Sequence, residues 1–158
     1  MTGDVRQLLM ILDQAYDRPS WHGANLRGSI RRVSPALAVW RPGPRRHNIW
    51  ENVVHAAYWK YAASRRFIEQ PQGSFYLKGS NWFHRPDTPD ARAWKEDVRQ
   101  LERMHALLRE AVAGLSSRQL YATPPGKKVS NFVLLSGIAA HDLYHAGQIQ
   151  LLKRLSKR

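Results

Sequence analysis

The 158-residue sequence contains no cysteine. Disulfides, thiolate metal sites and a cysteine nucleophile are therefore excluded before any motif is considered, and a reducing cytoplasm is the compartment that fits. Long hydrophobic runs are also missing: no apolar stretch reaches the roughly 20 residues that a membrane-spanning helix needs. The N-terminal segment from Met1 to Arg18 has only a short apolar patch broken by charge, without the apolar core and small-residue cleavage site of a signal peptide. The expectation is a soluble, cytoplasmic protein. Proline and glycine are sparse, at 9 and 10 residues, and fall mainly between periodic segments. With 43% hydrophobic residues there is enough apolar side chain for a continuous core, so disorder is not expected. The length suits one domain spanning residues 1–158, since compact domains most often hold roughly 100–150 residues.

Acidic residues are scarce as well. Twelve Asp and Glu stand against 25 Lys and Arg, leaving a formal charge of +13 and a sequence pI near 10.8. Such a surface attracts any polyanion through long-range electrostatics without defining a site. The basic residues spread across every segment, no zinc-finger, RNA-recognition or phosphate-loop pattern is present, and Gly126-Lys127-Lys128 is too short to act as one. Specific nucleic-acid recognition is not expected.

What is present is helical period. Val5, Leu8, Leu9, Ile11 and Leu12 predict an amphipathic helix from Asp4 to Tyr16, and a shorter helical stretch is expected from Asn25 to Val33. Ser34-Pro35 predicts a single turn over Ala36–Trp40. Arg41-Pro42-Gly43-Pro44 breaks the chain. Asn48 with Glu51 three residues on resembles a capping box and predicts a long helix running to about Glu69, stopped by Gln70-Pro71-Gln72-Gly73. Ser74 to Asp87 reads as a loop free to lie over the bundle. Thr88-Pro89-Asp90 then opens a helix through Trp94, Val98, Leu101, Met104, His105, Leu108 and Val112, ending near Gly114. Ser116 to Lys128 reads as a second long connection, and a last helix starts at Ser130 and nearly reaches the C-terminus. Four substantial helices and no alternating strand pattern predict an all-α helix bundle with long crossover loops.

The chemistry lies in the last helix, where His141 and His145 are four residues apart and share one face with Leu134, Gly137, Ile138, Gln148, Ile149 and Leu152. Two imidazoles turned toward a core need partners, because an unsatisfied buried polar group costs about 1–3 kcal/mol. They can share one ion, or simply bond to tyrosine or backbone groups. His55, among Val53, Val54, Ala56 and Ala57, is available as a third ligand. Three neutral imidazoles with an open fourth position match a catalytic rather than a structural zinc site.

The segments Trp21-His22-Gly23, His47 to Trp59, and His141-Asp142-Leu143-Tyr144-His145-Ala146-Gly147-Gln148-Ile149 together make the chain similar to the DinB/YfiT-like superfamily over nearly its whole length. The resemblance implies a four-helix bundle of up-down-down-up topology, frequent homodimers, and a divalent metal such as zinc or nickel. Its ligand pattern falls on His55, His141 and His145. Relatives include thiol-dependent S-transferases, hydrolases and isomerases, so the likeness does not choose a reaction.

Other candidates are secondary. Glu51 is a possible general base, or a partner orienting His55, or only a helix cap; Gln148, three residues after His145, is a possible group beside the metal or an ordinary bundle hydrogen bond. His22 and His84 lie in loops from which they can reach the open metal position, although a surface place is the commoner fate. His47 and His105 are not expected to be ligands, with His105 on an outer or partly covered helix face. Asp142 points about 100° away from His141 and is not expected to bind metal. Trp21, Trp50, Trp59, Trp82 and Trp94 are core by default, with one or two free to wall a pocket.

The leading functional expectation is an enzyme whose metal activates water or a low-molecular-weight thiol as nucleophile; with no cysteine in the chain, that thiol must come from a small molecule. The alternatives are a catalytically silent metal-binding dimerisation module and, less favoured, a basic nucleic-acid-binding protein.

Overall fold

The computed structural model describes residues 1–68 and 73–157, which form seven helices and, among the described residues, no strand. They are α1 (Gly3–Tyr16), α2 (Leu26–Ser29), α3 (Pro35–Val39), α4 (Ile49–Ser64), α5 (Ala91–Ala113), α6 (Ser117–Tyr121) and α7 (Asn131–Leu155). No described helix is long and apolar enough to cross a membrane.

Helix starts follow local chemistry. Ser34, Asp90 and Ser130 each accept a hydrogen bond from the backbone N–H three residues on, satisfying a donor that has no partner inside the helix. Asn48 and Glu51 form a reciprocal capping box at α4. Helix α4 ends at Ser64, short of the expected Glu69; that residue and residues 70–72 lie outside the described ones. The second helical stretch closes at Ser29 rather than Val33. The connection expected from Ser116 to Lys128 contains α6, started by a second capping box between Ser116 and Gln119.

Helix α4 packs against both α5 and α7, and α1 packs against α7 and α5. One apolar cluster surrounds α4, with Ile49, Trp50, Val53 and Val54 meeting Leu101, Met104, Ile149 and Leu152. A second joins Leu8, Leu9 and Leu12 of α1 to Leu108, Val112, Leu135 and Ile138. The first two and a half turns of α4 are buried on every side, from Ile49 to Ala57. A helix so enclosed must find protein partners for its polar side chains. Each has one: Glu51 binds Arg41, Asn52 binds His145, His55 binds the Asn81 carbonyl, and Lys60 forms an ion pair with Asp142.

Two placements depart from the sequence expectation. His105 is buried, further in than the outer or partly covered face expected, and stacks on Tyr16 with ring centroids 3.7 Å apart, because α1 covers that side of α5. Trp21 is 97% exposed rather than part of the core, since it sits in the irregular segment between α1 and α2. Trp50 and Trp94 are buried and edge-on to each other.

Candidate metal centre

Helix α4 presents His55 toward the face of α7 that carries His141 and His145. The Nε2 atom of His141 lies 3.0 Å from that of His55 and 3.0 Å from that of His145. One ligand atom from each ring falls in a group with all members within 4.8 Å of one another.

The opposite nitrogens explain the chemistry of this cluster. Asn52 donates its Nδ2 to the Asn48 carbonyl at 2.7 Å, so its Oδ1 is turned to His145 Nδ1, 2.7 Å away. An amide oxygen only accepts, and therefore His145 Nδ1 carries the proton. The Asn81 carbonyl, 2.8 Å from His55 Nδ1, makes the same demand on His55. In the neutral form each Nε2 is then a bare lone pair, and both face the third imidazole. Two lone pairs aimed at one imidazole nitrogen call for a proton or a cation between them, and fixing the tautomer through the other ring nitrogen is how proteins prepare histidine ligands.

Burial favours the neutral form of all three rings. It pushes His55 down, His141 down to about 4 and His145 down to about 3, with neighbouring imidazoles adding to the shift for all three. Gln148 lies close enough to His145 to oppose that shift weakly, yet its carbonyl oxygen is buried without a normal hydrogen-bond partner among the described residues.

The loop between α4 and α5 completes the surroundings. Asn81, in the left-handed region at φ 65° that asparagine tolerates better than most residues, gives its carbonyl to His55 and accepts from the Trp59 indole at 3.1 Å. Trp82 is stacked between His55 and His47, at centroid distances of 3.8 and 3.6 Å. Asp97 anchors this loop by accepting from Tyr76 and pairing with Arg85.

Glu51 lies in a different network from the imidazole cluster. Arg41 holds both of its carboxylate oxygens at 2.7–2.8 Å, and His47 Nδ1 lies 3.0 Å from Oε2. Burial acts to raise the Glu51 carboxyl, but the Arg41 and His47 hydrogen bonds outweigh it and hold the group below the usual range. The partner orienting His55 is instead Asn81. His84 is a loop residue with a side chain 74% exposed, beside Glu51 and Asp87. His22 is exposed beside Ser20. Neither joins the cluster. Asp142 is turned away from it to Lys60, and both side chains are fully buried.

Asn52, Asn81 and Lys60 escaped the sequence reading. Asn52 had a local signal, one turn before His55 on the same helix; Asn81 and Lys60 had none, because their partners are distant in the chain.

Beside the cluster, a cleft of about 440 Å³ is walled by Trp82, Tyr144, Leu151 and Leu152, with Arg46, Asn52 and Gln148 at its polar parts. The fold and this cluster define an all-helical protein with a three-histidine centre of the kind that can hold a divalent metal ion. A family model described as the DinB superfamily matches residues 20–149, and the chain belongs to that superfamily. No curated protein and no solved structure matches it.

Proposed function

We propose that this chain is a metal-dependent enzyme of transferase or hydrolase type, with one divalent ion, zinc or nickel, held by His55, His141 and His145. The observation that carries the reading is the convergence of three Nε2 atoms, two of them stripped of their proton by the Asn52 and Asn81 oxygens bound to the opposite ring nitrogens. Such an ion, when bound, supplies a Lewis acid that makes a small-molecule thiol or a water nucleophilic near neutral pH. The chain's own residues do the rest: Asn52 and Asn81 fix the rings, Trp82 shields one face of His55, and the neighbouring cleft receives the substrate. Gln148 is the candidate reacting-site side chain on that cleft, and Glu51 is assigned a positioning role through Arg41.

The same reading takes the chain as one cytoplasmic domain, a four-helix bundle of α1, α4, α5 and α7 in up-down-down-up order, paired as a homodimer. Pairing is supported by the N-terminal part of α7, on which Phe132 and Val133 are exposed, while Asp142, itself buried, is the only Asp, Glu, Lys or Arg from Asn131 to Leu152. This face also favours the second reading, a catalytically silent dimerisation module.

Elemental analysis joined to turnover assays tests the proposal. One ion per chain is expected, lost in His141→Ala and His145→Ala and kept in His47→Ala. A panel of chromogenic esters and thiol acceptors, assayed with and without added thiol, is expected to show turnover that a chelator abolishes. Unchanged metal content in the first two variants overturns the ligand assignment. Full metal with no turnover on the panel favours the dimerisation module.

A further inference from the structure

The cleft beside the histidine cluster has a composition that speaks to its ligand. Trp82, Tyr144, Leu151 and Leu152 make it largely apolar, and among the described residues no carboxylate lines it. Among the described residues, Arg46 is the one Arg or Lys on its wall, and its guanidinium forms no ion pair or hydrogen bond there. The nearest acidic neighbour in the sequence, Glu51, is already taken up by both terminal nitrogens of Arg41. Gln148, beside His145, adds a buried carbonyl oxygen with no normal hydrogen-bond partner among the described residues. An unpaired buried acceptor costs about 1–3 kcal/mol unless something donates to it.

The placement of Arg46 is built. Arg41, itself clamped by Glu51, donates to the Arg46 backbone carbonyl at 2.8 Å and fixes the end of the Pro42–Arg46 turn against α4. The residue before it, Arg45, adopts a left-handed conformation at φ 59°, which for a residue with a Cβ costs roughly 1–2 kcal/mol. A strained turn held by a charged staple, with a free guanidinium next in sequence on a cleft wall, points to recognition and not to packing.

Resting on the enzyme reading above, we propose that the cleft selects a carboxylate-bearing amphipathic small molecule of the N-acyl amino acid kind. Its carboxylate pairs with Arg46, its amide N–H donates to Gln148 Oε1 once that covered oxygen is turned into the cleft, and its apolar acyl body lies against Trp82, Tyr144 and Leu151. Arginine suits a carboxylate because its planar fork can donate two parallel hydrogen bonds.

Three probes separate the parts: N-benzoylglycine, its uncharged primary amide, and N-benzoylsarcosine, which lacks the N–H. Binding to the metal-loaded protein is followed by calorimetry or ligand-observed NMR. N-Benzoylglycine is expected to bind at least tenfold more tightly than the primary amide, and R46Q to bring the two within twofold. R45Q removes the same charge from the neighbouring residue and is expected to keep the preference. Q148L is expected to erase discrimination between N-benzoylglycine and N-benzoylsarcosine. Equal binding of the charged and uncharged probes overturns the proposal. So does a preference that survives R46Q, since the carboxylate then goes elsewhere, and so does equal loss in R45Q and R46Q, which marks a diffuse positive field. Metal content of each variant separates these failures from failure of the enzyme reading: an intact ion with no charge preference sinks only the ligand class.

Discussion

The indole of Trp82 lies flat on the imidazole of His55, with ring centroids 3.8 Å apart and planes inclined by 8°. The neighbouring Asn81 carbonyl is bound to the same imidazole, so two consecutive loop residues fix both the plane and the tautomer of one candidate ligand. Aromatic contacts of this kind contribute about 0.5–1.5 kcal/mol beyond area burial. Trp82→Ala is expected to weaken metal binding several-fold while leaving helix content by circular dichroism unchanged. Metal titration checks this, and unaltered affinity reduces Trp82 to a cleft wall.

Asn52 holds His145 as Asn81 holds His55, but from within α4. Loss of such an orienting partner typically costs 10–100-fold in metal affinity. Asn52→Ala is expected to fall in that range, measured by competition with a chromophoric chelator. An affinity within twofold of the parent removes the tautomer argument for His145.

Lys60 and Asp142 face each other with no exposure to solvent. Taking one partner away strands a charge in the interior, an effect of about 3–5 kcal/mol, whereas replacing both with apolar residues of similar size is often nearly neutral. Lys60→Met alone is therefore expected to lower the denaturation midpoint sharply, and Lys60→Met with Asp142→Leu to recover most of it. Asp142 directly follows His141, so metal affinity of the recovered double variant also reports whether the ion pair sets the register of the ligand helix. Additive destabilisation in the double variant contradicts the expectation.

His105 gives the chain an acid-sensitive stability. Burial, with Lys60 and Arg109 nearby, lowers its pKa to about 3, while in the unfolded chain it titrates near 6.5. Above pH 6.5 the ring is neutral in both states and costs nothing. Below that value the unfolded chain takes up a proton that the folded one refuses, so stability falls by roughly 1.4 kcal/mol per pH unit until about pH 3. His105→Phe, which keeps a ring against Tyr16, is expected to lose about 2 kcal/mol less than the parent between pH 6.5 and 5. Parallel urea-denaturation curves across that window count against the assignment.

The charge of +13 is expected to produce attraction to DNA that is indifferent to sequence and fades steeply with salt, because counterion release drives it. Fluorescence anisotropy with two unrelated duplexes over a range of salt concentrations tests this. A strong preference for one duplex at physiological salt points to a built interface.

The helices and the ligand pair were legible because their signals are local. Asn48 and Glu51 are three residues apart, and His141 and His145 share a face by spacing alone. What surrounds the ligands was not legible, since Asn81 meets His55 across 26 positions and Asp142 meets Lys60 across 82. No period connects residues so far apart; only the packing of α4 on α7 and the course of the loop do. How deeply His105 is covered was hidden for a related reason, because the covering residue, Tyr16, is on another helix. The Ser116–Gln119 pairing of α6 was a readable local signal, obscured by Pro124-Pro125-Gly126 just beyond it.

Arg41 touches three parts of the chain at once: the Arg46 carbonyl, the Glu51 carboxylate on α4, and Asp87 near the end of the loop before α5. Segments tied through one side chain do not open independently. The turn before α4 and the far end of the loop that carries Asn81 and Trp82 therefore belong to one cooperative opening unit, and amide exchange along both is expected to follow a single free energy. A disturbance at either segment reaches the cleft and the His55 partner together, so access to the site is governed by one event.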